Sequence, residues 1–197
     1  MSSSSLPAAS PEEVARQGRL AAEIGLWRSE EGLVRRWFRP TDALLNVDSG
    51  AGRVSLGLWE LGYERVLGIE RDRGLVAEAR RLAARLDYAT PFRVADVVRL
   101  ALPAETYDGV LWLEGGLARR EAAAQEAALK ALRRGVRAGG RLVLGTPVAD
   151  DAASLPDQLA SAGWTVEVRL RRDAEDGEAA DVKAAYPDCW FWVAVAT

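Results

Sequence analysis

From Ala43 onward the chain alternates short apolar runs with amphipathic stretches, and this alternation limits the fold more than any other feature of the sequence. Apolar runs at 43–48, 65–70, 92–95, 107–113 and 141–145 have the length of buried strands. Between them, Val54, Leu58 and Leu61, then Leu75, Ala79, Leu82 and Leu86, then Leu129, Leu132 and Val136 each fall on one helical face. Strand and helix in alternation predict a doubly wound, mostly parallel sheet with helices on both faces. The end of the chain reads differently. A helix over 152–162 stops at Gly163, and the runs Trp164 to Leu170 and Cys189 to Ala196 have no helical pattern between them, so they should pair antiparallel. Seven strands are therefore expected, the last of them antiparallel to its neighbours.

Ahead of this core, Ser10 followed by Pro11, Glu12 and Glu13 has the form of a helix start. Leu20, Ile24 and Trp27, then Leu33, Val34, Trp37 and Phe38, keep helical spacing up to the break at Pro40. These two short helices should form a lid, since Trp27, Trp37 and Phe38 need a surface to cover. Residues 1–10 read as a frayed tail, residues 11–197 as one domain, and the acidic stretch Arg171 to Pro187 as a long mobile connection.

Composition narrows the chemistry. The chain has no histidine and one cysteine, Cys189, which excludes an internal disulfide and a Cys/His zinc site. No metal centre is expected, and Cys189, between strand residues and near Trp190, reads as a packed thiol. A net charge of −3 with scattered arginines argues against nucleic acid, and short groups such as Arg133-Arg134 and Arg169 to Arg172 read as solvated faces. Met1 to Pro7 lacks a signal-peptide pattern and no run is long enough to span a membrane, so a cytoplasmic location is expected.

In an open parallel sheet, ligands bind outside the carboxyl ends of the strands. The first strand end runs Asn46-Val47-Asp48-Ser49-Gly50-Ala51-Gly52, where the glycines permit a tight turn and close backbone approach to a ligand. The second is Glu70, at the distance from that turn where an acid can accept both hydroxyls of a ribose. Together they point to an adenosine-bearing cofactor. The third is Asp96 and the fourth Glu114-Gly115-Gly116; taken singly, Asp96 reads as a turn residue and Glu114 as a loop acid.

This ordered series, continued by Leu132-Arg133-Arg134-Gly135-Val136-Arg137-Ala138-Gly139-Gly140 and the run to Leu144, resembles the class I S-adenosylmethionine-dependent methyltransferases from about Ala43 to the C-terminus. The resemblance implies that S-adenosylmethionine is the cofactor. It implies that Gly50 and Gly52, with Asn46, Asp48 and Ser49, border its methionine part, that Glu70, beside Arg71, takes the ribose hydroxyls, and that Asp96, beside Val97, holds the adenine amino group. Glu114 would then border the methyl-transfer site as the candidate catalytic residue, acting on a small-molecule acceptor. Asp150 and Tyr186 are further candidates for a base.

Two positions depart from the family pattern: Asn46 stands where an acid is usual, and Asp48 where a glycine is usual. Asp48 places a negative charge beside the expected cofactor carboxylate, while asparagine and aspartate tolerate left-handed backbone better than most residues. Two alternatives stay open on these residues. One is a methyltransferase-like domain that binds or regulates without turnover, and the other a nicotinamide-dependent dehydrogenase, since Gly50-Ala51-Gly52-Arg53-Val54-Ser55 nearly fits the dinucleotide fingerprint.

Overall fold

A computed structural model of the chain describes residues 8–148, 152–172 and 189–197. Two helices, α1 (Pro11–Glu23) and α2 (Arg28–Trp37), precede an alternating core. The core runs β1 (Leu44–Val47), α3 (Arg53–Glu60), β2 (Val66–Glu70), α4 (Arg73–Leu86), β3 (Phe92–Val94), β4 (Tyr107–Trp112), α5 (Ala122–Gly135) and β5 (Val136–Pro147). After a 3-10 turn at Ala152–Ser154 come α6 (Leu155–Ser161), β6 (Trp164–Arg171) and β7 (Cys189–Ala196). The acidic connection expected between the last two strands falls at 173–188, outside the described residues, as do Asp150 and Tyr186.

The seven strands order as β3-β2-β1-β4-β5-β7-β6. The first five pair in parallel, and β7 enters antiparallel between β5 and β6. This is not the 3-2-1-4-5-6 order of a dinucleotide-binding sheet, which lacks such an inserted strand. The dehydrogenase alternative loses its second nucleotide-binding half here. One strand differs from expectation: β5 starts at Val136 rather than 141, directly after α5, because Val136 already pairs with Tyr107 before a register shift at Gly109.

Strand residues are apolar on both sides because both faces are covered. Leu45, Val47 and Trp112 pack with Leu129, Leu132 and Trp164 on the face of α5 and α6. Leu44, Leu111 and Val143 point the other way, onto Leu33, Val34, Phe38 and Leu58. The N-terminal helices thus form part of the second layer. Phe38 rests on Gly109, where a Cβ would overlap the ring, and Trp27 is 1% exposed. The Ser10 hydroxyl caps α1 by accepting from Glu13 N–H, and Ala9 N–H donates to Asp72 at 2.7 Å, so the described end of the expected tail is tied down.

Each large apolar side chain buried here contributes about 1.5–3 kcal/mol. Deleting residues 1–40 is therefore expected to leave an aggregating core. Size-exclusion chromatography and thermal unfolding check this; a monomeric truncation as stable as the full chain would contradict it.

Candidate active site

The carboxyl ends of β1, β2, β3 and β4 open onto a cavity of about 800 Å³. Asp48, Gly50, Glu70, Arg71, Asp96 and Glu114 all line it, so six of the residues singled out in the sequence converge on one space. The other four do not line it. The Asn46 side chain is buried and donates to the Ser55 hydroxyl at 2.9 Å, which fixes the end of β1 to α3. Ser49 is buried, Val97 packs in the core against the α5 layer, and Gly52 lies where a Cβ would press on Phe92 and Ala79.

The glycine loop takes its shape from three consecutive alternate residues in left-handed backbone: Asp48 at φ 50°, Gly50 at φ 54° and Gly52 at φ 97°. Aspartate is among the few residues that adopt this region without a large penalty. The turn leaves the Gly50 N–H free to donate to Glu70 Oε2 at 3.1 Å. Glu70 Oε1 accepts from Asp72 N–H at 2.9 Å, which fixes the carboxylate at the end of β2 with lone pairs to spare. Gln17, from α1, reaches the same loop and accepts from Ala51 N–H at 3.4 Å.

Burial pushes the Glu70 carboxyl above the usual carboxylate range; the backbone bonds from Asp72 and Gly50 oppose this, and the neighbouring Asp48 charge adds to it. A carboxyl raised in the folded state holds its proton longer than in the unfolded chain, so this group's contribution falls as pH rises through the ordinary and then the raised value. The stability of Glu70→Gln relative to wild type is therefore expected to increase with pH across that window. Denaturant titrations at several pH values check the slope, and a flat difference would contradict it.

Behind the glycine loop sits an ion cluster that no motif marked. Arg53, 5% exposed at its side chain, is held by both oxygens of Glu30 at 2.7 and 2.8 Å, and it donates to the Gly25 carbonyl at 2.8 Å. The same guanidinium holds Glu114 Oε1 at 3.0 Å. Glu114 therefore has its Oε1 fixed by Arg53. The Arg53 and Arg172 guanidiniums lie 5.5 and 4.8 Å from the Trp27 ring centre.

A second cavity of about 410 Å³ lies on the other side of Glu114, bordered by Trp27, Arg53, Thr146, Pro147 and Cys189. Glu114, Gln17 and Arg119 line both spaces. Cys189 is half-buried rather than packed away, and it edges this cavity. No sequence pattern distinguishes Arg53, Glu30, Trp112 and Arg120, because each acquires its partner from a distant segment. Among the described residues, no group of three or more His, Cys, Asp or Glu is placed to hold a metal ion, and no helix is long and apolar enough to cross a membrane.

A glycine loop at the end of β1, a buried acid at the end of β2 and an antiparallel β7 together define a Rossmann-like methyltransferase fold. Residues 44–140 match the family model of a methyltransferase domain. The TehB-like S-adenosylmethionine-dependent methyltransferase of Corynebacterium glutamicum superposes with a TM-score of 0.73 at 20% identity, covering 94% of this chain and 97% of that one. The 1,6-didemethyltoxoflavin-N1-methyltransferase of Burkholderia thailandensis, with bound 1,6-didemethyltoxoflavin and S-adenosylhomocysteine, gives 0.68 at 18% identity over 98% and 93%. The magnesium protoporphyrin IX methyltransferase of Synechocystis, with bound S-adenosylmethionine, gives 0.66 at 17% identity over 97% and 87%. At these identities the structural likeness is one of fold. No curated protein sequence matches the chain. Over residues 44–140 the chain is thus similar to a methyltransferase domain, and it shares the fold of S-adenosylmethionine-dependent methyltransferases.

Proposed function

We propose that the protein methylates a small-molecule acceptor held in the 410 Å³ cavity, with the cofactor in the 800 Å³ cavity and Glu114 at the junction. The observation that carries this reading is Glu114 itself, among the described residues the one carboxylate that borders both spaces. The donor set of the larger cavity fits the cofactor: Glu70 offers two acceptor oxygens fixed by backbone N–H groups, and Asp96 offers an acceptor at the end of β3. When bound, the cofactor supplies a sulfonium methyl, which the acceptor's lone pair takes as the C–S electrons return to sulfur.

The chain's own part is to place the acceptor and to take its proton. Arg53 holds Glu114 Oε1, and Glu30 in turn holds Arg53, so the Glu114 carboxylate is held in place at the junction. A group fixed in this way can orient an N–H or O–H nucleophile and accept the proton released on methylation. Trp27, Pro147 and residues of α1 wall the smaller cavity. Small-molecule acceptors suit this volume, as the Burkholderia thailandensis enzyme with its bound 1,6-didemethyltoxoflavin illustrates for its own reaction.

Calorimetric titration of the full chain with S-adenosylmethionine, with NAD as control, tests the cofactor side. Transfer of labelled methyl groups to a panel of small N–H and O–H nucleophiles tests the acceptor side. Glu114→Gln is expected to lower turnover about 100-fold while cofactor affinity changes little. Undiminished turnover in that variant would remove Glu114 from the chemistry, and an absence of binding at millimolar cofactor would remove the catalytic reading altogether.

A further inference from the structure

The loop after β4 brings one cation to the junction of the two cavities and leaves it without an acid. Gly115, in left-handed backbone at φ 67°, turns the chain directly after Glu114, and Leu117, 3% exposed, anchors the loop in the core. The chain then returns, so that Arg119 Nη2 donates to the Glu114 carbonyl at 2.5 Å. This bond holds the guanidinium beside Glu114, where Arg119 is exposed and borders both cavities. A guanidinium carries several N–H donors in a fixed fork. Among the described residues, only this carbonyl accepts from Arg119, and no carboxylate forms an ion pair with it.

The acids near it are engaged elsewhere. Among the described residues, Glu13, Glu30 and Glu114 are the carboxylates that border the smaller cavity. Glu13 accepts from Arg16 at 2.8 and 2.7 Å, and Arg53 holds both Glu30 and Glu114. Arg172, which also borders this space, is buried against Trp27. The charge of Arg119 nevertheless reaches α1: the Glu13 carboxyl is held below the usual range chiefly by its bond from Arg16, against burial, and Arg119 adds to the lowering. An exposed cation with open donors, held beside the carboxylate that orients the nucleophile, can recognise one negative charge on the acceptor. The planar fork of a guanidinium matches a carboxylate, whereas a dianion would meet more repulsion from the acids on the same wall.

We infer that the methyl acceptor carries a carboxylate, and that Arg119 is the specificity-determining residue that receives it while Glu114 orients the nucleophile. The inference rests on the reading of the smaller cavity as the acceptor site. An amino or hydroxy acid satisfies both groups, with its carboxylate on Arg119 and its N–H or O–H on Glu114. A neutral acceptor of the same shape leaves the guanidinium to water and gains nothing from its charge.

The test titrates the full chain, saturated with S-adenosylhomocysteine, by calorimetry with benzoate, with benzamide, which keeps the shape without the charge, and with phenyl phosphate. Benzoate is expected to bind about tenfold tighter than benzamide, and tighter than phenyl phosphate. Arg119→Gln should reduce the preference for benzoate over benzamide to within about twofold, with S-adenosylhomocysteine affinity also within about twofold of wild type. Arg119→Lys, which keeps the charge, should retain part of the preference. Equal affinity for benzoate and benzamide, or no binding of either, in protein that binds S-adenosylhomocysteine overturns the inference and leaves the cofactor reading standing. A preference for phenyl phosphate overturns the carboxylate assignment. An unchanged benzoate preference in Arg119→Gln overturns the role of Arg119, and if S-adenosylhomocysteine affinity falls in that variant the residue serves the cofactor instead. Benzoate that competes with S-adenosylhomocysteine overturns the separation of the two sites, and wild-type protein that does not bind S-adenosylhomocysteine overturns the cofactor reading and the inference with it.

Discussion

Replacing Arg53 by methionine is expected to lower the unfolding free energy by about 3–5 kcal/mol, because it leaves a buried carboxylate without its partner. The Glu30 side chain is 5% exposed, and both its oxygens are bonded to the Arg53 guanidinium. Glu30 Oε2 also accepts from Trp27 N–H at 3.0 Å, so the same carboxylate fixes the start of α2. Its charge cannot be regained by water without opening the contact between α2 and α3. A companion variant, Glu30→Leu/Arg53→Met, should recover most of the loss, since exchanging a whole buried ion pair for apolar side chains is often neutral. Denaturant unfolding measures both. A loss below about 1 kcal/mol for Arg53→Met would show that the cluster is solvated in solution. The same variant should lower turnover, because Glu114 loses the group that holds its Oε1.

Removal of the Glu70 carboxylate is expected to have the largest effect on ligand affinity. Glu70→Ala should weaken S-adenosylhomocysteine about 100-fold. Hydrogen bonds from ligand hydroxyls to a buried carboxylate contribute about 1.5–3 kcal/mol each, and losing a pair amounts to roughly 3 kcal/mol or more. The substitution also removes the acceptor of Gly50 N–H, so the turn that shapes the loop loses one of its ties. Affinity and unfolding midpoint need to be measured together. Unchanged affinity in a folded variant would place the ribose elsewhere in the cavity.

The two departures from the family pattern have different structural consequences, and only one of them concerns the cavity. Asn46 looks inward and bonds Ser55, so its amide serves the junction of β1 and α3. Asp48 looks outward, accepts from Trp112 and Arg120, and carries its own compensating charge. The expectation that Asp48 would simply repel an anionic ligand considered its charge without Arg120, which lies 72 positions further along the chain.

Much of the architecture was legible before any coordinates. Apolar periodicity set the strands and helices, because a strand covered on both faces must be apolar throughout and a surface helix must be apolar on one side. The alternation of the two set the parallel sheet, and the unpatterned closing runs set the antiparallel end. Acids and glycines at strand ends marked Asp48, Gly50, Glu70, Asp96 and Glu114, since a parallel sheet gathers those ends at one edge. What the tertiary structure alone decided was the pairing of charges. Arg53 meets Glu30 and Glu114, and Arg120 meets Asp48 and Asp96, through contacts between segments 23 to 72 positions apart. A long, flexible charged side chain carries no periodic signal, and in sequence a buried arginine looks the same as a solvated one. Its partner is fixed only when the packed helices and strands bring distant segments together and exclude the water that would otherwise satisfy it.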